Sequence, residues 1–106
     1  MLMAELRKRL DEIGWQEQIE FELAERPAMR GSVDLERVEL QLRALAASVD
    51  VVLLDALEQE PGYLVWALRL APLVEADEAE RRARRHIDDP NFRVRYWAQK
   101  LLPNRI

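Results

Sequence analysis

Apolar positions recur along this chain at steps of three and four, the pattern of helices almost throughout. Leu2, Leu6, Leu10 and Ile13 form one stripe and predict a helix over residues 2–13, with Gly14 as its interruption. Trp15, Ile19 and Leu23 follow at steps of four over 15–25, and Glu17, Glu20, Glu22 and Glu25 cover the remainder. Pro27 and Gly31 close this segment, so RPAMRGS, residues 26–32, is the expected joint. Ser32 or Asp34 can cap a helix over 34–47 whose buried side is Leu35, Val38, Leu42 and Leu45. Ser48 and Asp50 start VVLLDALEQ, residues 51–59, whose apolar first turn implies burial on more than one side. Glu60-Pro61-Gly62 turns the chain, and YLVWALRLA, residues 63–71, ends near Pro72. Helices over 74–88 and 91–102 complete the series, the last stopping before Pro103. The few β-branched residues sit inside helical patterns and no Asn-Gly or Asp-Gly hairpin turn occurs, so the fold class is all-α, with six or seven helices.

The C-terminal half repeats itself. LLDALEQEPGYLVWALRLAP, residues 53–72, and ARRHIDDPNFRVRYWAQKLLP, residues 83–103, each carry a helix, an acid before Pro, an aromatic, Trp-Ala, Leu and a terminal Pro. Trp66 and Trp97 are 31 apart, as are Ala67 and Ala98, whereas Pro61 and Pro90 are 29 apart. The unit is helix, tight turn, helix, within the length range of helical repeat arrays.

Asp89-Pro90, Val94-Arg95, Ala98 and Leu102, with Asp88 or Asp89 in the acidic position, resemble the turn and second helix of a HEAT repeat. The resemblance covers residues 74–102, extends more loosely to 50–72, where Leu64-Val65 lacks the Arg, and is architectural only in 1–47. It implies a short α-solenoid of antiparallel helical hairpins in a single domain spanning 1–106. Residues 32–106 would be HEAT-like hairpins, and residues 1–31 either degenerate repeats or an N-terminal capping hairpin. It also implies that the Asp and Arg are structural, pairing along the stack and satisfying turn backbone, and that the helical surface binds a partner.

Composition narrows the function classes. At 106 residues and 49% hydrophobic content the chain can bury a modest core, and without cysteine it has neither disulfides nor a thiolate metal site. MLMAELRKRLDEIGW lacks the apolar run of a signal peptide, and no segment approaches the roughly 20 apolar residues of a membrane span, so a cytoplasmic protein is expected. Net charge is −4, yet residues 1–78 hold 17 acidic and 8 basic side chains, and residues 79–106 hold 3 acidic and 8 basic. Opposite fields at the two ends favour oriented encounter with a charged partner.

Two charged surfaces are therefore candidates for partner binding. Arg81, Arg84 and Arg85 share a helix face with Arg82 beside them, and Arg81, Arg82, Arg85 and Arg93 make the basic candidate. The competing expectation is a solvated face neutralised by Glu75, Asp77, Glu78 and Glu80. Glu17, Glu20 and Glu25, with Gln18 and Phe21, make the acidic candidate, or else the solvent side of an amphipathic helix. Arg93, Arg95, Tyr96 and Trp97 have the composition of a phosphate-and-stacking site, but repeat spacing predicts Val94, Trp97 and Leu101 as core and Arg95 as a repeat ion pair.

His86, the sole histidine, has Asp88, Asp89 and Glu58 as nominal acid–base partners. No His-Glu-x-x-His, Gly-rich phosphate loop or Gly-x-Ser-x-Gly occurs, so no catalytic residue and no cofactor is expected. Abundant acids leave a carboxylate-only metal site open, although no EF-hand spacing is present. The expected function is a non-enzymatic protein–protein interaction module. The alternatives are a nucleic-acid backbone binder using the basic C-terminal helices, and an inhibitor or immunity-type protein masking a basic enzyme. Leu101, Leu102 and Ile106 lie at the end of the best-matching repeat, so either the last helix is a sufficient cap or another copy covers it, giving a homo-oligomer.

Overall fold

Glycine at position 14 does not end the first helix. In the computed structural model, which describes residues 1–26 and 34–102, α1 runs unbroken from Met3 to Ala24, one helix where two were expected. A glycine inside a helix costs about 1 kcal/mol relative to alanine, less than the cooperative gain from continuing a formed helix. Continuity also sets the phase. Leu6, Leu10, Ile13 and Glu20 are buried along one side, while Trp15, about 200° further round the axis than Ile13, is 66% exposed rather than heading a second apolar stripe.

After Arg26 the expected joint lies outside the described residues, and the chain resumes at Asp34. Of the two expected caps, Ser32 also lies outside them, whereas Asp34 caps α2, Leu35–Ala46, its Oδ1 accepting the Arg37 N–H at 2.9 Å. Val38, Leu42 and Leu45 are buried as the spacing predicts, and Leu35 is exposed. Contacts group the chain into two compact units, Met1–Leu45 with α1 and α2, and Ala46–Ile106 with the remaining helices. The division between the two units falls after Leu45.

The second unit holds α3 (Val51–Glu58), α4 (Leu64–Val74), α5 (Ala76–His86) and α6 (Phe92–Leu101). α4 is its centre and packs against α3, α5 and α6. The reason is compositional: LVWALRLAPLV is apolar nearly all round, and such a helix needs neighbours on several sides. Leu64, Ala67, Leu68, Leu70 and Ala71 are buried, and Leu64 and Leu68 join Ala83 of α5 and Val94 and Ala98 of α6 in one core cluster. Trp97 and Leu101, expected as core, are half-buried against that cluster. The helix continues through Pro72 to Val74, although Pro72 has no N–H to give the Leu68 carbonyl. The described residues are all-α, with six α-helices, one 3-10 turn and no strand.

Short connections are fixed by side chains. Asp50 Oδ1 accepts the Leu53 N–H at 2.7 Å and caps α3, and the 3-10 turn Pro61–Tyr63 leads into α4. Before α6, Asp89 Oδ1 accepts the Asn91 N–H at 2.7 Å, and Asn91 Oδ1 accepts those of Arg93 and Val94. Arg95 Nη1 donates to the Asp89 carbonyl at 3.1 Å, so it satisfies turn backbone. The repeat ion pair expected of it is not formed among the described residues.

Gly62 has no positive φ, and a Cβ built there meets nothing within 4 Å. Gly62→Ala should therefore stabilise the chain by about 0.4–1 kcal/mol through the unfolded state. A lower urea midpoint for the variant would contradict the geometry.

Candidate functional site: a buried ion network and a cation–aromatic ladder

α5 has almost nothing apolar to bury. In ADEAERRARRH the apolar residues are alanines, and its inward side is completed by Glu78 and Arg82, both buried beside Ala79 and Ala83. Arg82 is 1% exposed, and all three of its guanidinium nitrogens are satisfied. Nε donates to Glu78 Oε2 at 3.1 Å, Nη1 to Glu58 Oε1 at 2.8 Å, and Nη2 lies 2.6 Å from Asp55 Oδ1 and 3.0 Å from Glu78 Oε2. Glu58 Oε2 also accepts Arg85 Nη1 at 3.0 Å, and Glu78 pairs with Arg81. Three carboxylates thus face three guanidinium groups, which is the condition for holding charge in an interior. The network ties α3 to α5 at the side of α4.

His86 enters this network through Nε2, 3.3 Å from Glu58 Oε2, while its Nδ1 lies 3.9 Å from Asp89 Oδ2. Two of the three nominated acids therefore do flank the histidine. Both Glu58 oxygens are already engaged by guanidinium groups, so Glu58 serves as their counter-ion. Among the described residues no group of three His, Asp or Glu side chains has the arrangement of a metal site.

The second arrangement lies on the outer side of α4 and α6. Arg69 Cζ is 4.6 Å from the Trp66 ring centroid and 4.9 Å from that of Trp97. Lys100 Nζ is 4.7 Å from the Trp97 centroid and 5.8 Å from that of Tyr96, whose ring meets Trp97 edge-on at 5.7 Å. Trp66, Arg69, Trp97, Lys100 and Tyr96 form an alternating ladder in which each cation lies within reach of two ring systems. The two tryptophans that repeat at a spacing of 31 are the rings that bracket Arg69.

The structure divides the expected binding residues sharply. Arg82 is removed from the basic surface, because it is buried and its donors are spent on Asp55, Glu58 and Glu78. Glu20 is removed from the acidic surface: it is buried, with Oε1 accepting Gln16 Nε2 and Oε2 accepting the Asp34 N–H, both at 2.8 Å. Glu17 is half-buried and Glu25 exposed. Arg81 and Arg85 are exposed but ion-paired to Glu78 and Glu58, and Arg84 pairs with Glu80. Arg93 is exposed and makes no ion pair among the described residues. Glu58 and Asp55 as partners of Arg82, and Arg69 as the centre of the ladder, escaped the sequence reading. The one available signal was an α5 too poor in apolar residues to bury anything except polar ones.

No protein-family model matches this chain. A search of curated proteins gives no match, and neither does a search of solved structures. The likeness to HEAT repeats accordingly rests on the chain's own residues.

Arg82→Ala, which leaves the buried carboxylates of Glu58 and Glu78 only their outer partners Arg85 and Arg81, should cost about 3 kcal/mol, whereas Arg84→Ala should stay within about 0.5 kcal/mol. Urea denaturation followed by circular dichroism separates the two, and equal midpoints would remove the network from the stability argument.

Proposed function

We propose that this chain is a HEAT-like helical module that recognises another protein through the joint surface of α4 and α6 and carries out no chemistry itself. The observation that carries the reading is the cation–aromatic ladder, because it unites the second helices of two hairpins into one continuous outer face. Aromatic and cationic side chains are enriched at protein interfaces, where ring faces provide contact area and cations provide orientation.

Further support comes from the turns. Arg95 bonds the Asp89 carbonyl from the Val-Arg position of the repeat pattern, the turn-satisfying role that the HEAT resemblance implies. The packing of α3 on α4 and of α5 on α6, together with the contacts of α4 with α5 and α6, supports a reading as stacked hairpins. The nucleic-acid reading loses ground because the arginines of α5 are ion-paired to Glu58, Glu78 and Glu80. No helix of the described residues is long and apolar enough to cross a membrane.

The test is an affinity pull-down with the intact chain, with and without nuclease, beside a Tyr96→Ala/Lys100→Ala variant. A protein retained through nuclease treatment and lost with the variant is the expected outcome. Loss of all bound material on nuclease treatment would transfer the assignment to nucleic acid.

A further inference from the structure

α6 presents more than its share of the ladder. Phe92, Tyr96 and Lys100 follow one another at steps of four and so share a face, with Arg93 beside it. Phe92 is 68% exposed and Tyr96 51%, an unusual exposure for two rings one turn apart. α6 contains Arg93, Arg95 and Lys100 and no acidic residue.

The cations of this face differ from those of α5. Arg81, Arg84 and Arg85 are each matched to a carboxylate of the same chain. Arg93 has no such match among the described residues, and Lys100 has only ring contacts. Two exposed rings and two cations without carboxylates therefore lie together on one helix, and the charge they lack is negative.

We infer that the Phe92–Arg93–Tyr96–Lys100 face of α6 docks an acidic segment of a partner protein, one that sets an apolar side chain between Phe92 and Tyr96 and carboxylates against Arg93 and Lys100. This rests on the interaction-module reading above and specifies its partner. A single-stranded nucleic acid fits less well for two reasons. Arg69 already sits over both tryptophan rings and Lys100 over those of Trp97 and, less closely, Tyr96, which takes most of the platforms that bases would stack on. Two unmatched cations on a chain of net charge −4 also offer little to a polyanion, whose binding scales with the number of phosphates neutralised.

Selection from a peptide library displayed on phage, with the intact wild-type chain as target, tests the partner's chemistry directly. The expected winners carry two or more Asp or Glu residues flanking an aromatic or aliphatic residue. Arg93→Glu/Lys100→Glu should weaken the winning synthetic peptide at least about tenfold in tryptophan fluorescence titration, with the helical circular dichroism spectrum retained. Winners that are neutral or basic, an absence of winners, or winners indifferent to the double variant would overturn the inference. Tighter binding of a twelve-residue oligothymidylate than of any selected peptide would reassign the face to nucleic acid. A concentration-dependent dimer abolished by the double variant would reassign it to a second copy of the chain. If the peptide arm fails while the nuclease-resistant partner persists, the module reading stands and only this face is wrong.

Discussion

Arg82 buries a full positive charge in a 106-residue chain, and the second unit is organised around satisfying it. A guanidinium has donors in a fixed plane, so its partners must arrive from set directions. Glu78 reaches it from one turn back on the same helix, while Asp55 and Glu58 come from α3. This fixes the register of α3 against α5 more tightly than alanine contacts could. Apolar packing tolerates small slides; a three-sided hydrogen-bond cage does not. Such a cage adds little net stability over well-packed apolar groups, but removing one member leaves uncompensated charge in the interior.

The cage also decides which basic side chains remain without a carboxylate partner. Arg81, Arg84 and Arg85 flank Arg82 in sequence and are drawn into pairs with the acids that serve α5. The basic run that looks most like a binding patch is thereby largely neutral as a surface. Positive charge without a carboxylate partner among the described residues moves to α6, where Arg93 and Lys100 lie on the same helix as the exposed Phe92 and Tyr96. Charges paired within the chain and charges without a carboxylate partner thus occupy neighbouring helices.

Arg69 links the two roles. It lies over Trp66 of its own helix and Trp97 of α6, so the outer side of α4 and α6 is cross-linked by cation–π contact while the inner side is closed by Leu64, Leu68, Val94 and Ala98. Each such contact is modest, on the order of 0.5–1 kcal/mol at an exposed site, yet together they restrict the Arg69, Trp66 and Trp97 side chains.

The sequence by itself determined the helices, their caps and most of their buried stripes, because helical periodicity and capping are written in residues three or four apart. Asp34 and Asp50 sit at helix starts, and Val38, Leu42 and Leu45 are buried as their spacing demands. It misjudged Gly14, where a strong local breaker was outweighed by cooperativity along α1. It also misplaced Glu20 and Arg82, since charge alone says surface until a partner 14 or 24 residues away is known. Only the tertiary structure could bring Glu58 to Arg82 and Trp97 to Arg69. Those contacts depend on how helices pack, and no local spacing encodes the distance between side chains on different helices.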